Sequence, residues 1–109
     1  MKQEDTVAAV LAAVMIRDEL RDDYVGLWKI PRHLRRLLPG SPDSQILDLS
    51  IAILVALITL DVQLGDIDGE TGVFVPWNQL AGVDRVEAEW EALGRDPNIG
   101  DIAWLAHVL

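Results

Sequence analysis

The sequence predicts an α+β domain, and three observations support that class. Three segments with helical apolar spacing lie in the first sixty residues, and an alternating segment with Asp-Gly turn chemistry follows them. A fourth helical segment and a short alternating segment complete the pattern. Because half of the 109 residues are hydrophobic, we expect one domain, residues 1–109, with a core of its own.

The first helix is expected to begin near Asp5 or Thr6, since either side chain can cap a helix. Five apolar residues at helical spacing form its apolar face: Val7, Val10, Leu11, Val14 and Met15. Residues 7–16 are therefore predicted to be a buried helix. A short extended segment over residues 24–28 should follow, because aromatic and β-branched residues flank a glycine there.

Two more helices are predicted before the hairpin. Pro31 fits the first turn of the second helix, and the Pro-Gly sequence at residues 39–40 ends it. The third helix runs to Asp61, with Asp43 or Ser44 as its cap. Because apolar residues occupy almost every side of it, the third helix is predicted to be a buried central helix.

A β-hairpin is predicted after the third helix. Residues 61–67 alternate in hydrophobicity, and residues 73–75 return as the second strand, which Pro76 ends. The Asp-Gly pair at the start of residues 68–72 would supply the positive φ that a tight turn needs. The extended segment before the second helix would complete a small sheet.

The last predicted elements are a helix and a strand. The fourth helix covers Leu80–Leu93, with Asp84 and Glu87 as a capping box and Gly94 as its C-terminal stop. Residues 96–100 form a turn, and a short strand follows. Core packing between the hairpin, the fourth helix and this strand is expected for all four tryptophans: Trp28, Trp77, Trp90 and Trp104. Partial exposure is an alternative for Trp77, which follows Pro76 at the base of the hairpin.

Three helices followed by a hairpin is the element order of a winged helix, a fold that often binds DNA. The third helix, which would read the major groove, contains no Lys, Arg or His, and only Gln45 is suited to base contacts. The hairpin tip is acidic, so it would repel phosphates. These residues argue against nucleic acid as a partner. The element order alone does not outweigh them, because fold does not determine function.

The charge distribution predicts a basic protein partner. The net charge is -9, and residues 41–109 carry twelve acidic and two basic groups, or -10, while residues 1–40 carry +1. Complementary charge would steer such a partner, as it does for immunity or antitoxin-type proteins. The predicted contact residues lie on the hairpin and the fourth helix: Asp66, Asp68, Glu70, Asp84, Glu87, Glu89, Glu91 and Trp77.

A second candidate surface is a basic cluster on the second helix: Lys29, Arg32, Arg35 and Arg36. Such residues commonly form the solvated side of an amphipathic helix. Alternatively, they contact an acidic partner or the phosphates of DNA. If the ligand is DNA, the protein is a winged-helix regulator that uses a non-standard surface. A third alternative is a structural subunit, for which the acidity provides solubility. A homodimer fits several of these alternatives.

The sequence lacks the usual marks of an enzyme or a metal protein. The two histidines, His33 and His107, are expected at the surface or at caps, and no nucleophile motif or phosphate loop accompanies them. The acidic hairpin fails as a calcium loop, because its sixth and twelfth positions are Thr71 and Trp77. We expect no enzyme activity, cofactor or metal.

The expected location is the cytoplasm, with no membrane segment. The apolar run at residues 7–16 lacks a basic flank and a cleavage site, and the run at residues 51–58 is too short to span a bilayer.

Two segments resemble the sequences of a group of proteins. Glu87–Trp104 is similar to a C-terminal block of short, uncharacterised, winged-helix-like bacterial proteins, and Gly72–Trp77 is similar to the segment before it; together they cover 24 of 109 residues. The resemblance implies that the fourth helix and last strand belong to the domain, and it implies no activity. From the residues themselves, Arg95 and Asp96 are expected to fix the turn, and three residues to return to the core: Ile99, Ile102 and Trp104.

Overall fold

A computed structural model describes residues 2–108, which form an α+β domain with four helices and one antiparallel sheet of four strands. The helices are α1 (Gln3–Glu19), α2 (Lys29–Leu37), α3 (Asp43–Leu60) and α4 (Gln79–Leu93). The strands are β1 (Val25–Gly26), β2 (Val62–Ile67), β3 (Phe74–Pro76) and β4 (Trp104–His107). The predicted α+β class is confirmed.

The strands lie in the order β1-β4-β2-β3, and every neighbouring pair is antiparallel. The last strand therefore lies in the middle of the sheet, where Leu105 is opposite both Val25 and Leu64. These three side chains are buried, and together with Val62 of β2 they belong to the hydrophobic core. The predicted hairpin β2–β3 is present, but β1 joins the sheet through β4 and makes no pairing with the hairpin.

Helix α3 occupies the centre, because it packs against α1, α2, α4 and β2. Its buried side chains follow helical spacing: Ile46, Leu49, Ile53, Leu54 and Leu57. The predicted central position agrees with these contacts, but the helix is not covered all round, since Val55 and Leu60 are 48% and 65% exposed. One side of α3 remains open because the neighbouring elements cover only part of its circumference.

The side of helix α1 that faces the core is opposite to the predicted one. It buries Ala8, Ala12 and Ile16, while the five residues predicted as its apolar face are all exposed: Val7, Val10, Leu11, Val14 and Met15. Both sides of this helix are apolar, so hydrophobic spacing does not distinguish them. Small alanine side chains allow α1 to approach α2 and α3 closely, and the larger side chains are left outside.

The predicted caps of α1 and α3 are wrong, because four residues expected to cap lie inside the helices: Asp5, Thr6, Asp43 and Ser44. Lys2 and Pro42 hold the N-cap positions in extended conformation, and neither provides a side-chain cap. Helix α4 begins at Gln79, and the Asn78 side chain caps it by accepting hydrogen bonds from the backbone amides of Leu80 and Ala81. The predicted capping box is therefore wrong as well, since Asp84 and Glu87 lie within α4.

The hairpin turn is built by Asp68 and Gly72. Asp68 Oδ1 accepts hydrogen bonds from the amides of Glu70 (2.8 Å) and Thr71 (2.9 Å). The positive φ falls on Gly72, at 71°, and the prediction that the Asp-Gly pair supplies it is wrong. The carboxylate organises the loop as an Asx-type turn, so the positive φ is needed only where the chain re-enters β3.

The turn before β4 agrees with the predicted roles of Arg95 and Asp96. Arg95 donates to the Asp96 carbonyl and to the Asp101 carboxylate, both at 2.9 Å, while the Asp96 carboxylate accepts from Arg35. Ile102 packs against the core, but Ile99 is exposed, so its predicted return to the core is wrong.

The tryptophans separate into different environments. Trp90 is buried and Trp77 is half-buried beside α4. Trp28 and Trp104 meet instead at Gly26 of β1, where a Cβ atom would lie 2.5 Å from the Trp28 ring and 3.5 Å from that of Trp104. Trp28 therefore packs over β1 and not between the hairpin, α4 and β4 as predicted, because Gly26 has no side chain and leaves room for the indole.

Candidate protein-binding surface

Helix α4 is fixed to the sheet by one side-chain amide, that of Gln79. Its Oε1 accepts from the Leu64 backbone amide (2.6 Å), and its Nε2 donates to the carbonyls of Leu64 (3.0 Å) and Trp77 (2.6 Å). Gly82 completes the contact, because an added Cβ would lie 3.2 Å from the Leu64 side chain. The acidic helix is thus held in a defined position against β2.

Three of the predicted contact residues are joined through Arg85. Trp77 Nε1 donates to Asp66 Oδ2 at 2.8 Å, and the Arg85 guanidinium carbon lies 3.7 Å from the centre of the Trp77 ring. Arg85 Nε donates to Glu89 Oε2 at 2.8 Å. Trp77 is half-buried and packs against the core, so it is more exposed than a core position but is not a surface residue. Stacking of guanidinium on indole is a favourable cation–π contact, so this group is ordered before any partner binds.

Two of the predicted contact residues, Asp68 and Glu70, lie at the hairpin tip and have different roles there. The Asp68 carboxylate serves the turn, and the hydrogen bonds from the Thr71 and Glu70 amides lower its pKa. It remains ionised, but part of its hydrogen-bonding capacity is used internally. Glu70 is exposed beside it.

Three further predicted residues line the outer side of α4. Asp84, Glu87 and Glu91 follow one another at intervals of three and four residues, so they lie on one side of the helix. Asp84 and Glu91 are exposed, and Glu87 is half-buried. Leu80, 91% exposed, begins the same line. Among residues 2–108, these three carboxylates belong to none of the ion pairs.

The surface is electrostatically one-sided. Residues 62–93 contain the seven predicted carboxylates and a single basic residue, Arg85, and that residue is already engaged by Trp77 and Glu89. Like charges on one helix and its neighbouring hairpin repel each other, which disfavours the unbound state modestly. A cation that binds there removes this repulsion and is attracted over distances of about 8–10 Å at moderate salt.

Two of the four cations in the alternative basic cluster, Lys29 and Arg35, are occupied by contacts within the chain. Lys29 donates to Glu19 at 2.8 Å, and Arg35 donates to Asp96 at 2.6 Å and to Asp43 at 2.7 Å. The Arg35 pKa is raised, first by the hydrogen bond to Asp96 and then by that to Asp43.

The remaining two cations of the cluster are less constrained. The Arg32 guanidinium carbon lies 5.2 Å from the Trp28 ring centre, and Arg36 is exposed. Within the described residues, neither is part of an ion pair, so two of the four cations are positioned for an outside ligand.

The histidines lie in contrasting surroundings. His33 is buried, which contradicts its predicted surface position, and its Nε2 lies 3.1 Å from Glu19 Oε2. It is buried because α1 and α2 pack together at that point. His107 is exposed, with its Nε2 3.2 Å from Asp61 Oδ2. Arg17 also bonds Asp61, and it is the main cause of the lowered Asp61 pKa.

Two features of residues 2–108 bear on other kinds of site. No group of three or more His, Asp or Glu side chains is arranged to hold a metal ion there. Helix α3 is long and apolar enough, by length and composition alone, to cross a membrane, with 33% of it buried. Core helices of water-soluble proteins meet the same criteria, and α3 contacts four other elements of the domain.

Sequence reasoning missed the role of Arg85 and the exposed side of α1. The spacing of Arg85 and Glu89, four residues apart on a helix, indicates an ion pair. The stacking on Trp77 had no sequence signal, because it depends on the angle at which α4 leaves the hairpin. The exposed side of α1 depends likewise on which of two apolar sides packs inward.

Comparison with known proteins gave no match, since no family model, curated protein or solved structure is significantly similar to this chain.

Proposed function

We propose that this protein is a non-enzymatic, cytoplasmic binding module that takes a basic protein partner, in the manner of an immunity or antitoxin-type protein. The observation that carries the proposal is the outer side of α4, where Asp84, Glu87 and Glu91 are free of ion pairs within residues 2–108. Beside them lies the ordered group of Trp77 and Arg85. Acidic residues around an aromatic side chain are well suited to a partner rich in Lys and Arg.

The rigidity of this surface supports the proposal. Gln79 fixes the start of α4, and Asp66 and Arg85 fix the Trp77 ring, so little side-chain entropy would be lost when a partner binds. The exposed Leu80 adds an apolar contact at one end of the acidic line.

A relation to the winged-helix fold is part of the same proposal. α1, β1, α2, α3, β2 and β4 follow one another in winged-helix order, and β1, β4 and β2 supply the three-stranded sheet. In this interpretation, β3 and α4 are an insertion between the last two strands. The acidic residues of α4 then belong to the inserted segment, which is consistent with a function other than DNA binding and with the resemblance to short bacterial winged-helix-like proteins.

The experiment uses two variants of equal charge. One carries Asp84→Asn, Glu87→Gln and Glu91→Gln; the other carries Asp22→Asn, Asp23→Asn and Asp48→Asn at exposed positions elsewhere. Each has a net charge of -6, from -9 plus three. Tagged proteins are used to capture partners from lysate of the native cells at about 50 mM and about 300 mM salt, because screening separates electrostatic from apolar binding.

We expect a basic protein to be retained by the natural chain and by the control variant at low salt. The α4 variant should lose it by at least about tenfold, which corresponds to about 1.4 kcal/mol of binding free energy. Equal retention by both variants, or capture of no basic protein, would refute the proposal.

The second candidate is a DNA-binding regulator, and the observation that favours it is the freedom of Arg32 and Arg36 from ion pairs among residues 2–108. It is less well supported, because α3 carries no basic residue. A mobility-shift assay with random duplex at low salt tests it. A shift that weakens steeply with salt and disappears in Arg32→Gln/Arg36→Gln would favour this function over the first.

A further inference from the structure

We propose that the exposed side of α1 is a homodimer interface, in which two copies of the helix pack antiparallel. The five residues of this interface are Val7, Val10, Leu11, Val14 and Met15, and all of them are exposed in the single chain. Contiguous apolar patches of this kind are uncommon on proteins that remain monomeric. The inference does not depend on the proposed binding of a basic partner.

The charge pattern identifies the occupant as a second copy. Residues 6–16 contain no charged side chain, although a quarter of all residues in the chain are charged. A molecule with a net charge of -9 repels its own copy over most of its surface, and this neutral stretch is where two copies can approach. Helix α1 packs on α2 and α3, whereas the acidic helix α4 packs on α3 and β2, so the dimer would leave the acidic surface open.

Four of the five apolar residues are spaced symmetrically about a point near the middle of the helix, and the fifth, Met15, corresponds to Thr6 of the copy. Val7 and Val14 lie equally far from a point between Val10 and Leu11. A copy that is turned end to end therefore presents the same pattern, as an isologous two-fold interface requires. The intervals of three and four residues are also those of packed helix pairs.

The ends of α1 favour the antiparallel direction. Glu4 lies in the first turn, and Arg17 lies in the last turn, with Arg21 just beyond it. Arg17 is paired with Asp61, and Arg21 lies 3.5 Å from Asp18, so the last turn is approximately neutral, while the first turn carries Glu4 and Asp5. Antiparallel packing places the exposed Glu4 of each copy beside an approximately neutral last turn and opposes the two helix dipoles, whereas parallel packing would place the two Glu4 side chains together.

Two open grooves beside α1 would be covered in the dimer. One, of about 670 Å³, lies between the first half of α1 and the end of α2, at Leu37 and Leu38; the other, of about 480 Å³, lies at the end of α1 beside Asp61 and His107. Side chains from the second copy would enter both grooves. The five apolar residues span eight helical steps, or about 12 Å of the helix, and the two grooves extend the contact beyond them at each end.

The first test measures oligomeric state by sedimentation velocity between about 1 and 100 μM, concentrations that cover the usual affinities of such dimers. We expect a dimer for the natural chain. Val10→Glu should raise the dissociation constant by more than about 100-fold, since symmetry places two carboxylates in one interface. Val73→Glu is the matched control, because Val73 and Val10 are both 57% exposed, and it should leave the dimer intact.

Engineered cysteines test the direction, and they are informative because the chain contains none. Leu11→Cys lies next to the two-fold axis and should form a disulfide with its own copy. Two copies of Glu4→Cys would be about 20 Å apart, because each lies 6.5 residues from the midpoint, so they should not cross-link.

Circular dichroism of each variant confirms that it is folded. A monomer at every concentration would overturn the proposal, including a monomer that floats with phosphatidylcholine vesicles, which would assign this side of α1 to lipid. Cross-linking of both cysteine variants would show parallel packing and would also overturn it.

Discussion

At the scale of single residues, Glu19 shows how one carboxylate joins two helices. Its oxygens lie 2.8 Å from Lys29 Nζ and 3.1 Å from His33 Nε2, so the last residue of α1 is connected to two residues of α2. Burial raises the Glu19 pKa, but the hydrogen bonds from Lys29 and His33 outweigh burial, and the pKa is lowered overall. The ionised form is therefore the one that stabilises the fold.

Glu19→Gln should lower the free energy of unfolding by about 1 kcal/mol at pH 7, because it removes a charged acceptor shared by two donors. The folded pKa of Glu19 lies below the ordinary 4.5, so the unfolded chain binds the proton more readily than the folded chain does. The stabilisation that Glu19 provides is therefore complete above pH 4.5 and is lost as the pH falls through the folded pKa. Urea unfolding at pH 7 and at about pH 3 measures the difference. If Glu19→Gln lost the same unfolding free energy at both pH values, the ionised carboxylate would not be the source of the stabilisation. If Asp22→Asn lost as much at pH 7, the effect would be one of general charge.

At the scale of elements, β2 and β3 approach each other closely at a glycine. A Cβ atom at Gly65 would collide with the Val75 carbonyl oxygen and would lie 2.6 Å from the Phe74 ring. The Phe74 ring also meets Tyr24 edge to face, with centroids 5.6 Å apart. The hairpin thus depends on the missing side chain at position 65, because the backbone of β3 has no space to move away without losing its pairing.

Gly65→Ala should destabilise the protein by about 1–3 kcal/mol, the usual cost of an added group in a tightly packed place. Gly69→Ala, with no neighbouring atom within 4 Å, should have little effect. Urea unfolding followed by tryptophan fluorescence compares the two variants. Equal stability of both would show that β3 is loosely held.

The elements also show what sequence patterns determine. Alternation and turn chemistry located the hairpin, because β2 has one side in the core and the other outside. Gly94 was located correctly as the C-terminal stop of α4. The starts of α1 and α3 were not located, because these helices begin without any side-chain cap, so packing determines where they start. The wrong side was assigned to α1 because Ala8 and Ala12 are as regularly spaced as Val7 and Val14, and packing distance alone chooses between them.

At the scale of the whole molecule, Arg35 connects three distant segments. It extends from α2 to Asp43 at the start of α3 and to Asp96 in the turn before β4, which is 61 positions away in sequence. The seven carboxylates of the candidate surface could be named from the sequence, because their charge is independent of the fold. The Arg35 contacts could not, since they depend on how three segments come together.

Arg35→Gln should lower the free energy of unfolding by about 1–3 kcal/mol, since charge-assisted bonds to two carboxylates are lost and Asp96 is left partly buried without its partner. Arg36→Gln removes the same charge from the next residue, which is exposed, and should change stability little. Urea denaturation of both variants distinguishes a specific connection from a general charge effect. Losses of equal size in the two variants would show that charge alone is responsible.

The central place of β4 has a consequence for protein synthesis. Val25 pairs with Leu105, 80 positions later, and both neighbours of β4 need it before the sheet can close. At translation rates of about 5–20 residues per second, residue 105 is made roughly 4–16 s after residue 25. During that interval, the core-facing sides of β1 and β2 have no strand between them, so a nascent chain would expose apolar surface to which chaperones bind.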